Sequence, residues 1–435
     1  MSSQADTKFT ATAVQAERER WPEVYAVPRG RIRALVAGWL LRHAVRELPL
    51  RVTLPGGRVY GAGGIGAPTL AIHRPAAFRR RLGARGLIGF GEAYQAGDWD
   101  ADDLPGVLKA FAVRLDALVP PPLQRLRSLC VARRPHADRN TRVGSRRNIA
   151  RHYDLSDELF TLFLDPTMTY SSALFAEDAQ GRPVASSGLL TLAQRRKIDR
   201  LLDLAGVGPG TRLLEIGSGW GELAVRAAER GAQVRTVTLS ENQHAYTERR
   251  VAEAGLAGKA AVELRDYRAL DGEYDVVLSV EMIEAVGREH WPVYFAALAG
   301  LLAPGGRIGL QAITMPHHRM TATAGTHTWI TKYIFPGGQI PSVAAIEENL
   351  AHVGLRVTDD LAFGAHYVQT LRLWRERFAG HARRLGALGF DETFRRTWEL
   401  YLAYCEAGFA SGYLDVHQFL ITHTPGRGER MEKDR

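Results

Sequence analysis

Three glycines spaced two residues apart interrupt an apolar run in the middle of the chain. The stretch LLEIGSGWGELA at residues 213–224 places Gly217, Gly219 and Gly221 between a predicted strand and a predicted helix. Glycine allows a tight turn and lets a ligand approach the backbone closely, so this loop is a candidate binding site. Its spacing, G-x-G-x-G with no lysine, fits neither the dinucleotide fingerprint nor the phosphate-binding loop.

Polar side chains lie where the strands around this loop are predicted to end. Glu215, two residues before the first glycine, can meet an ammonium group or organise the loop. The second strand ends in neutral hydroxyl and amide groups that suit a ribose. The third strand ends in an acceptor for an adenine amino group, followed by a ring that can stack on adenine. The predicted contacts from these two strands are Thr238, Leu239, Ser240, Gln243, Asp266 and Tyr267.

The pattern of apolar residues divides the 435-residue chain into four parts. Residues 1–120 are predicted to form a small mixed α/β domain, and the Arg-rich residues 121–145 an exposed basic linker. Over residues 146–425, short apolar strands alternate with amphipathic helices, which predicts a mainly parallel, doubly wound α/β sheet. In such sheets the ligand lies outside the carboxyl ends of the strands, where the glycine loop falls. Residues 426–435 are expected to form a flexible tail.

This succession, with PGG at 304–306 between a late helix and a strand, resembles that of the class I S-adenosylmethionine-dependent methyltransferases. The resemblance implies a Rossmann-like fold and S-adenosylmethionine as the ligand of the glycine loop. It also implies that Arg268, next to Tyr267, contacts the cofactor.

Longer stretches resemble one family, the cyclopropane-fatty-acid synthases. They are NIARHYDLSDELFTLFLDPTMTYSSALF at 148–175, VEMIEAVG, WITKYIFPGGQIPS at 329–342 and FGAHYVQTLRLWRER at 363–377. The resemblance covers about residues 146–423. In addition, GLIGFGEAYQAGDWD at 86–100 is similar to the end of the N-terminal lipid-handling domain of the long bacterial members.

The family resemblance implies C-methylation of a double bond in an unsaturated acyl chain. The alkene attacks a sulfonium methyl group, which leaves a carbocation that needs aromatic faces and a shielded base. In cyclopropane synthases a bound bicarbonate is that base, so bicarbonate is a second candidate cofactor. By motif alignment, the predicted bicarbonate site consists of Ser172, Glu284, Gln311, the backbone of Ile313, and Tyr367.

Other matched positions extend the implied site. Tyr170 and Ser171 match the family's cofactor-contacting pair. Glu284 follows the strand VVLSVEM, where its carboxylate can hold or orient the base. Cys405 matches a cysteine once nominated as the family's nucleophile. Because an alkene that attacks a sulfonium needs no thiolate, we interpret Cys405 as a core cysteine near the site.

Departures from the family pattern bear on the product. The family's Tyr-Ser-Cys reads YSS at 170–172, its Phe-Glu-His-Val-Gly reads IEAVG at 283–287, and an expected histidine is Gln311. Loss of that histidine removes a group that could carry positive charge beside an anion, which weakens the case for bicarbonate and for ring closure. The variant segments resemble the tuberculostearic acid branch. The predicted product is therefore a 10-methylene chain made from an oleoyl phospholipid, and the alternative is a cyclopropane ring.

Charge and composition predict the partners and the location. The net charge is +9, and arginine clusters occur at 29–33, at 79–81 and from 125 to 151. Such clusters attract phosphate groups, and no nucleic-acid-binding motif accompanies them, so we expect an anionic membrane surface and no nucleic acid. The N-terminal sequence has no secretory signal, and the two cysteines, Cys130 and Cys405, suit a reducing compartment. The expected location is cytoplasmic, on the inner face of the membrane, with a separate reductase completing the methyl product. Whether the chain forms a homodimer stays open.

Other interpretations stay open at this point. One is a non-catalytic lipid- or nucleic-acid-binding module on a methyltransferase fold, and another, from charge alone, is an RNA methyltransferase. His290, His317 and His318 have no carboxylate or cysteine at ligand spacing, and methyl transfer from a sulfonium needs no metal. No metal site is therefore predicted.

Overall fold

The computed structural model describes residues 17–114, 135, 140–141, 144–145 and 156–425. The chain divides into two compact units. The first contains residues 1–134, 325–334 and 375–411, and the second contains residues 135–324, 335–374 and 412–435. Cys130, most of the predicted linker and the predicted tail lie outside the described residues.

Strands and α-helices are numbered separately along the chain. The strands are β1 (Arg51–Thr53), β2 (Val59–Tyr60), β3 (Thr69–Ile72), β4 (Trp99–Ala101), β5 (Ala176–Glu177), β6 (Pro183–Val184), β7 (Arg212–Ile216), β8 (Gln233–Thr238), β9 (Ala260–Leu264), β10 (Tyr274–Val280), β11 (Leu302–Thr314), β12 (Leu355–Ala362) and β13 (Asp415–His423). The helices are α1 (Pro22–Tyr25), α2 (Arg31–Val45), α3 (Pro75–Gln95), α4 (Leu104–Val113), α5 (Asp157–Thr161), α6 (Leu190–Ala205), α7 (Glu222–Glu229), α8 (Glu241–Glu253), α9 (Ile283–Val286), α10 (Trp291–Leu301), α11 (His317–Thr323), α12 (Trp329–Tyr333), α13 (Val343–His352), α14 (Gly364–Gly380), α15 (Ala382–Ala387) and α16 (Glu392–Ala410). Within the described residues, no helix combines the length and the apolarity needed to cross a membrane.

The first unit packs helices against a four-stranded sheet with the strand order β2-β1-β3-β4. Its core centres on Trp99, which is fully buried. The Trp99 indole packs on Phe90 and Tyr94, with ring centroids 4.5 and 4.9 Å away, and donates a hydrogen bond to the Phe90 carbonyl. Strands β1 and β2 pair antiparallel, with Val52 opposite Tyr60.

Two segments from the C-terminal half belong to this first unit, which the sequence-based boundaries did not anticipate. Helix α16 packs on α3 and α4, and α12 packs on α3. These contacts join residues about 300 positions apart, for example Gln95 Nε2 and Thr397 Oγ1 at 2.8 Å. Contacts over such separations leave no local periodicity in the sequence, so the pattern of apolar residues could not reveal them.

Arg81 is a core residue of the first unit. Its guanidinium donates to the Asp98 carboxylate at 3.1 Å and to the Val24 carbonyl, and only 2% of its surface is exposed. A buried charge of this kind is retained where it is paired and hydrogen-bonded. The expectation that 79–81 is an exposed basic patch is therefore wrong for Arg81. The arginine cluster at 29–33 is exposed, as predicted.

The second unit contains a seven-stranded sheet with the strand order β12-β13-β11-β10-β7-β8-β9. Strands β7 to β11 run parallel to their neighbours in that set, and β13 pairs antiparallel with β11 and β12. This arrangement confirms the predicted doubly wound α/β fold. Because β8 follows β7 on one side and β10 lies on its other side, the chain reverses direction across the sheet at β7. That reversal opens a crevice at the carboxyl ends of β7 and β10.

Leu278 in the centre of β10 tests how much the sheet packing stabilises this unit. The side chain is fully buried and fills the space over Gly309, where a Cβ would lie 2.6 Å from Leu278 Cδ2. Leu278→Ala is expected to lower the free energy of unfolding by about 2–5 kcal/mol, because it removes buried methyl groups and leaves a cavity. Urea unfolding measures this change. Leu192→Ala, at a leucine that is 57% exposed, is the control and should change stability by less than about 0.5 kcal/mol. Equal losses in both variants would contradict the packing described here.

Candidate active site

The glycine loop connects the end of β7 to the start of α7, as the sequence predicts. Gly217 has φ +97°, and a Cβ there would lie 2.6 Å from Met282 Cγ. Gly221 has φ +87°, and a Cβ there would lie 2.8 Å from Thr247 Cγ2. Both positions therefore combine a left-handed backbone with a close neighbour, and only glycine satisfies both conditions without strain.

A pocket lies at this loop, at the carboxyl ends of β7, β8 and β10. All the predicted cofactor residues except Ser240 and Asp266 line it: Tyr170, Ser171, Glu215, Gly217, Gly219, Gly221, Thr238, Leu239, Gln243, Tyr267 and Arg268. The structure also brings Lys197, Glu281 and Met282 into the lining, which the sequence analysis did not single out. The residues are those expected for S-adenosylmethionine: carboxylates for its positive charges, and hydroxyl, amide and ring groups for its nucleoside.

Ser240 and Asp266 shape the pocket without lining it. The Ser240 hydroxyl caps α8 by accepting a hydrogen bond from the Gln243 backbone N–H at 3.2 Å. The Asp266 carboxylate accepts from Arg268 Nε at 2.9 Å and from Nη2 at 2.6 Å. This placement differs from the sequence-based assignment, in which both side chains faced the ligand. Asp266 orients Arg268, whose guanidinium lies 5.6 Å from the centroid of the Tyr267 ring.

Two buried ionisable groups give the pocket its electrostatic character. Glu215 accepts a hydrogen bond from the Thr236 hydroxyl, and Lys197 donates one to the Ser171 hydroxyl. Burial raises the pKa of Glu215 to about 8, although the hydrogen bond from Thr236 and the charge of Lys197 oppose the shift. Burial lowers the pKa of Lys197 to about 8, although Glu281 and other nearby carboxylates oppose it. Both groups therefore change charge easily near neutral pH.

Glu281 forms the centre of a second cluster, immediately after β10. Its Oε1 accepts hydrogen bonds from Ser172 N at 2.9 Å and from Gln311 Nε2 at 2.8 Å, and its Oε2 accepts one from the Tyr367 hydroxyl at 2.6 Å. Its backbone has φ +51°, which is rare for a residue with a side chain. Three members of the predicted bicarbonate site therefore point at a carboxylate of the protein itself.

The orientation of Gln311 is fixed by a chain of hydrogen bonds. Its carbonyl oxygen accepts from Gln418 Nε2 at 3.0 Å, and Gln418 Oε1 in turn accepts from Arg200 Nη1 at 2.8 Å. Because its oxygen is engaged by Gln418, the amide group of Gln311 presents its NH₂ to Glu281. The positive charge of Arg200 polarises these hydrogen bonds in the direction that strengthens the one from Gln311 to Glu281.

Glu284 and Ile313 also come together, as the motif alignment predicts. One Glu284 carboxyl oxygen accepts from the Ile313 backbone N–H, and the other, Oε2, is buried with no hydrogen-bond partner among the described residues. Burial, and next the charge of Glu281, raise the pKa of Glu284 to about 8. Glu284 is therefore mostly protonated at pH 7.

Glu281 is partly accessible from the pocket that it lines, but its carboxyl group is buried within the protein. This burial raises the pKa of its carboxyl, and the hydrogen bond from Tyr367, the charge of Lys197 and the hydrogen bonds from Ser172 and Gln311 act to lower it.

The sequence signal that could have revealed this residue is the spacing of Glu281 and Glu284 in VEMIEAVG, two carboxylates three positions apart directly after a strand.

Aromatic rings connect the Glu281 cluster to Tyr170, which lines the cofactor pocket. Trp374 lies between Tyr367, at 6.2 Å and 88°, and Tyr170, at 5.4 Å and 39°. Tyr170 in turn packs edge-on against Phe160 and Phe163. Tyr367, whose hydroxyl donates to Glu281, thus joins the carboxylate to a group of aromatic rings, the kind of side chain that stabilises a carbocation.

The remaining sequence-based candidates lie elsewhere. Cys405 is partly buried on α16 in the first unit, whereas the cluster around Glu281 belongs entirely to the second. Trp329 and Tyr333, two aromatic residues of the matched segment 329–342, also belong to the first unit. Among the described residues there is no group of three or more His, Cys, Asp or Glu side chains arranged to hold a metal ion.

Comparisons with known proteins agree with this geometry. The family described as mycolic acid cyclopropane synthetase matches residues 140–419. Tuberculostearic acid methyltransferase UfaA1 of Mycobacterium tuberculosis is 54% identical over 420 residues, which are 96% of this chain and 98% of that protein. The structure of cyclopropane synthase MmaA2 from Mycobacterium tuberculosis has a TM-score of 0.57 at 33% identity, covering 66% of this chain and 98% of that one. The same values hold for mycolic acid cyclopropane synthase CmaA1 complexed with SAH and CTAB.

The fold and the pocket define a class I methyltransferase that uses S-adenosylmethionine. The chain belongs to the mycolic acid cyclopropane synthetase family, and its predicted likeness to the tuberculostearic acid branch is confirmed. It is an S-adenosylmethionine-dependent enzyme that methylates fatty acids. The alternatives of a non-catalytic module and of an RNA methyltransferase are therefore set aside.

Binding of S-adenosylmethionine is expected to tighten as the pH rises from 7 to 8.5. With a pKa of about 8, Glu215 is mostly protonated at pH 7, and the positively charged cofactor binds its ionised form. Linkage to this one group lowers the Kd by up to about tenfold over that range. Loss of the Lys197 charge in the same window acts in the same direction. Isothermal titration calorimetry measures the change.

Glu215→Gln should bind more weakly and lose most of this pH dependence. Glu229→Gln, at an exposed position on α7, is the control and should keep it. A Kd that stays flat or rises with pH in the wild-type protein would show that Glu215 does not face the cofactor charge.

Proposed function

We propose that this enzyme methylates the double bond of an oleoyl phospholipid chain and releases a 10-methylene acyl chain, the precursor of a 10-methyl chain. The observation that supports it most strongly is that Glu281 belongs to both halves of the site. It lines the cofactor pocket, and its carboxylate receives the hydrogen bonds of the predicted base site. The pocket expected to bind the methyl donor therefore includes a carboxylate that can accept a proton.

The proposed reaction has three steps. S-Adenosylmethionine supplies an electrophilic methyl group. The alkene carbon C10 forms a bond to that methyl carbon as the methyl–sulfur bond breaks, so that S-adenosylhomocysteine is the leaving group and a cation remains at C9. A hydride then moves from C10 to C9, so that the positive charge lies on the methyl-bearing carbon. Loss of a proton from the new methyl group forms the methylene double bond. The rings of Tyr170, Trp374 and Tyr367 stabilise the cation and exclude the water that would quench it.

The alternative product is a cyclopropane ring, which forms if the proton leaves before the hydride moves. The pattern of substitutions favours the methylene product, because Gln311 is a neutral amide and UfaA1, at 54% identity, is a tuberculostearic acid methyltransferase. A separate reductase would then convert the methylene group to a methyl group.

Incubation with oleoyl phospholipid vesicles and S-adenosylmethionine carrying a ¹³C-labelled methyl group tests this proposal. The label is expected in an exocyclic methylene carbon at position 10, which NMR of the released fatty acids distinguishes from a cyclopropane carbon of equal mass. Vesicles with only saturated chains are the control and should acquire no label, because they offer no alkene. Label in a cyclopropane carbon would replace the methylene proposal with the alternative, and label in no acyl chain would reject both.

We further propose that the first unit docks on an anionic membrane surface, at the inner face of the cytoplasmic membrane, through helix α2. Ile32, Leu35, Val36 and Trp39 follow the i, i+3, i+4, i+7 spacing of one helix face, and all are at least half exposed. The arginines at 29, 31 and 33 flank this face and are exposed as well. An apolar face bordered by arginine suits the boundary between anionic headgroups and acyl chains.

Replacing Leu35 and Trp39 by glutamate is expected to weaken binding to phosphatidylglycerol-containing vesicles by at least about tenfold. The change removes apolar area from the docking face and adds charge that anionic headgroups repel. Vesicle co-sedimentation measures binding, and activity on detergent-solubilised lipid should change by less than about twofold. Leu192→Glu, at an exposed leucine of the second unit, is the control. Equal vesicle binding by the double variant and the wild type would contradict the docking proposal.

A further inference from the structure

We propose that the carboxylate of Glu281 is itself the base of the reaction, in the place that the family resemblance assigns to bicarbonate, so that this enzyme works without that ion. The inference rests on the proposed function and names the group that takes the proton. Three observations support it: the hydrogen-bond donors of the predicted bicarbonate site donate to Glu281, one lone pair of its carboxylate has no donor, and neighbouring groups favour its ionised form.

Bicarbonate does not fit the site that the motif alignment assigns to it. An ion there would need the Ser172 N–H, the Gln311 amide and the Tyr367 hydroxyl, and all three donate to Glu281 at 2.6–2.9 Å. A second anion there would also lie against the Glu281 carboxylate, and like charges at that distance repel strongly. The carboxylate group of Glu281 therefore takes the position of the planar ion and its hydrogen bonds.

One lone pair of the Glu281 carboxylate stays open for a proton. Each carboxylate oxygen accepts about two hydrogen bonds. Oε1 already accepts two, from Ser172 and Gln311, and Oε2 accepts one, from Tyr367. In the final step a C–H bond of the new methyl group breaks, its electron pair forms the carbon–carbon double bond, and the proton binds Oε2. Because Glu281 lines the cofactor pocket, that proton can leave to solvent once the products depart.

Burial raises the pKa of both Glu281 and Glu284, and the groups around Glu281 oppose that shift more than those around Glu284 do. Glu284, three residues later, is mostly protonated at pH 7, so it does not compete as an anion. The charge of Lys197 favours the ionised form of Glu281, as do its three hydrogen-bond donors. Two nearby carboxyl groups with different protonation states are the usual arrangement where one of them must act as a base.

The backbone supports the same assignment. Glu281 has φ +51°, a strained conformation for a residue other than glycine and one that concentrates at functional sites. In this conformation the Glu281 backbone N–H donates to the backbone carbonyl of Gln311 at 2.8 Å, and the Glu281 side chain accepts from the side-chain amide of the same residue. A glycine would relieve this strain, so the presence of glutamate indicates that its side chain is needed.

The first experiment uses the wild-type enzyme with oleoyl vesicles in buffer freed of carbon dioxide and bicarbonate. Turnover is expected to stay within about twofold of the value measured with about 10 mM bicarbonate added, a concentration that would largely fill a site with a Kd of about 1 mM. Activity that falls more than tenfold on removal of bicarbonate and is restored by adding it would overturn the inference. If the wild-type enzyme makes no methylated lipid under either condition, the proposed function itself fails, which is a different result.

The second experiment compares Glu281→Gln with Glu281→Gly. Glu281→Gln keeps the shape and removes the base, and we expect kcat to fall by at least about 100-fold while S-adenosylmethionine still binds in calorimetry. Glu281→Gly also removes the base, but it leaves room among the three donors and suits the positive φ. Formate or bicarbonate is therefore expected to restore activity in Glu281→Gly and not in Glu281→Gln.

Glu347→Gln, an exposed position on α13, is the control for the same chemical change and should retain wild-type activity. Turnover by Glu281→Gln within about threefold of wild type would overturn the inference. So would a Glu281→Gly protein that binds S-adenosylmethionine normally and gains no activity from either anion, because that result assigns Glu281 a structural role.

Discussion

The hydrogen bonds that converge on the Glu281 carboxylate are the interaction on which the site depends. A carboxylate this deep in the protein is stable only where donors replace the water it has lost. The donors come from three different places in the second unit: the backbone at Ser172, the amide of Gln311 on β11 and the hydroxyl of Tyr367 on α14. Each of those segments is therefore constrained by the need to reach one carboxylate.

The doubly wound sheet makes this convergence possible. β10 and β11 are neighbours and parallel, so that Glu281 at the end of one lies beside Gln311 on the other, and their backbones are joined by a hydrogen bond of 2.8 Å. The same reversal of strand order opens the cofactor pocket at the end of β7. Met282, next to Glu281, lies directly over Gly217 of the glycine loop. The cofactor loop and the carboxylate site are thus coupled through adjacent residues of one short segment.

Much of this arrangement could be predicted from sequence, because it depends on local patterns. Alternating apolar strands and helices predicted the sheet, and the glycine spacing with strand-end polar residues predicted the pocket lining. The motif alignment also named Ser172, Gln311 and Tyr367 correctly as residues that share one cluster. It did not name Glu281, the residue at their centre, since an alignment reports which residues match and gives no account of where a substituted side chain reaches.

Other misses have the same physical origin. The burial of Arg81 depends on Asp98 and Val24, and the engagement of Asp266 by Arg268 depends on the geometry of a single turn. The assignment of residues 375–411 to the first unit depends on helix packing between distant parts of the chain. None of these contacts has a periodic signature. Sequence patterns predict elements and their order, whereas pairings between specific polar groups require the folded chain.

The central claim is that a side chain of the protein stands where its relatives are expected to hold an ion. A high-resolution crystal structure of the protein with S-adenosylhomocysteine, grown in the presence of bicarbonate, tests it most directly. The account predicts density for the Glu281 carboxylate within hydrogen-bonding distance of Ser172 N, Gln311 Nε2 and the Tyr367 hydroxyl, with no ion among them. A planar anion bound to those three donors, with the Glu281 side chain turned away, would contradict it.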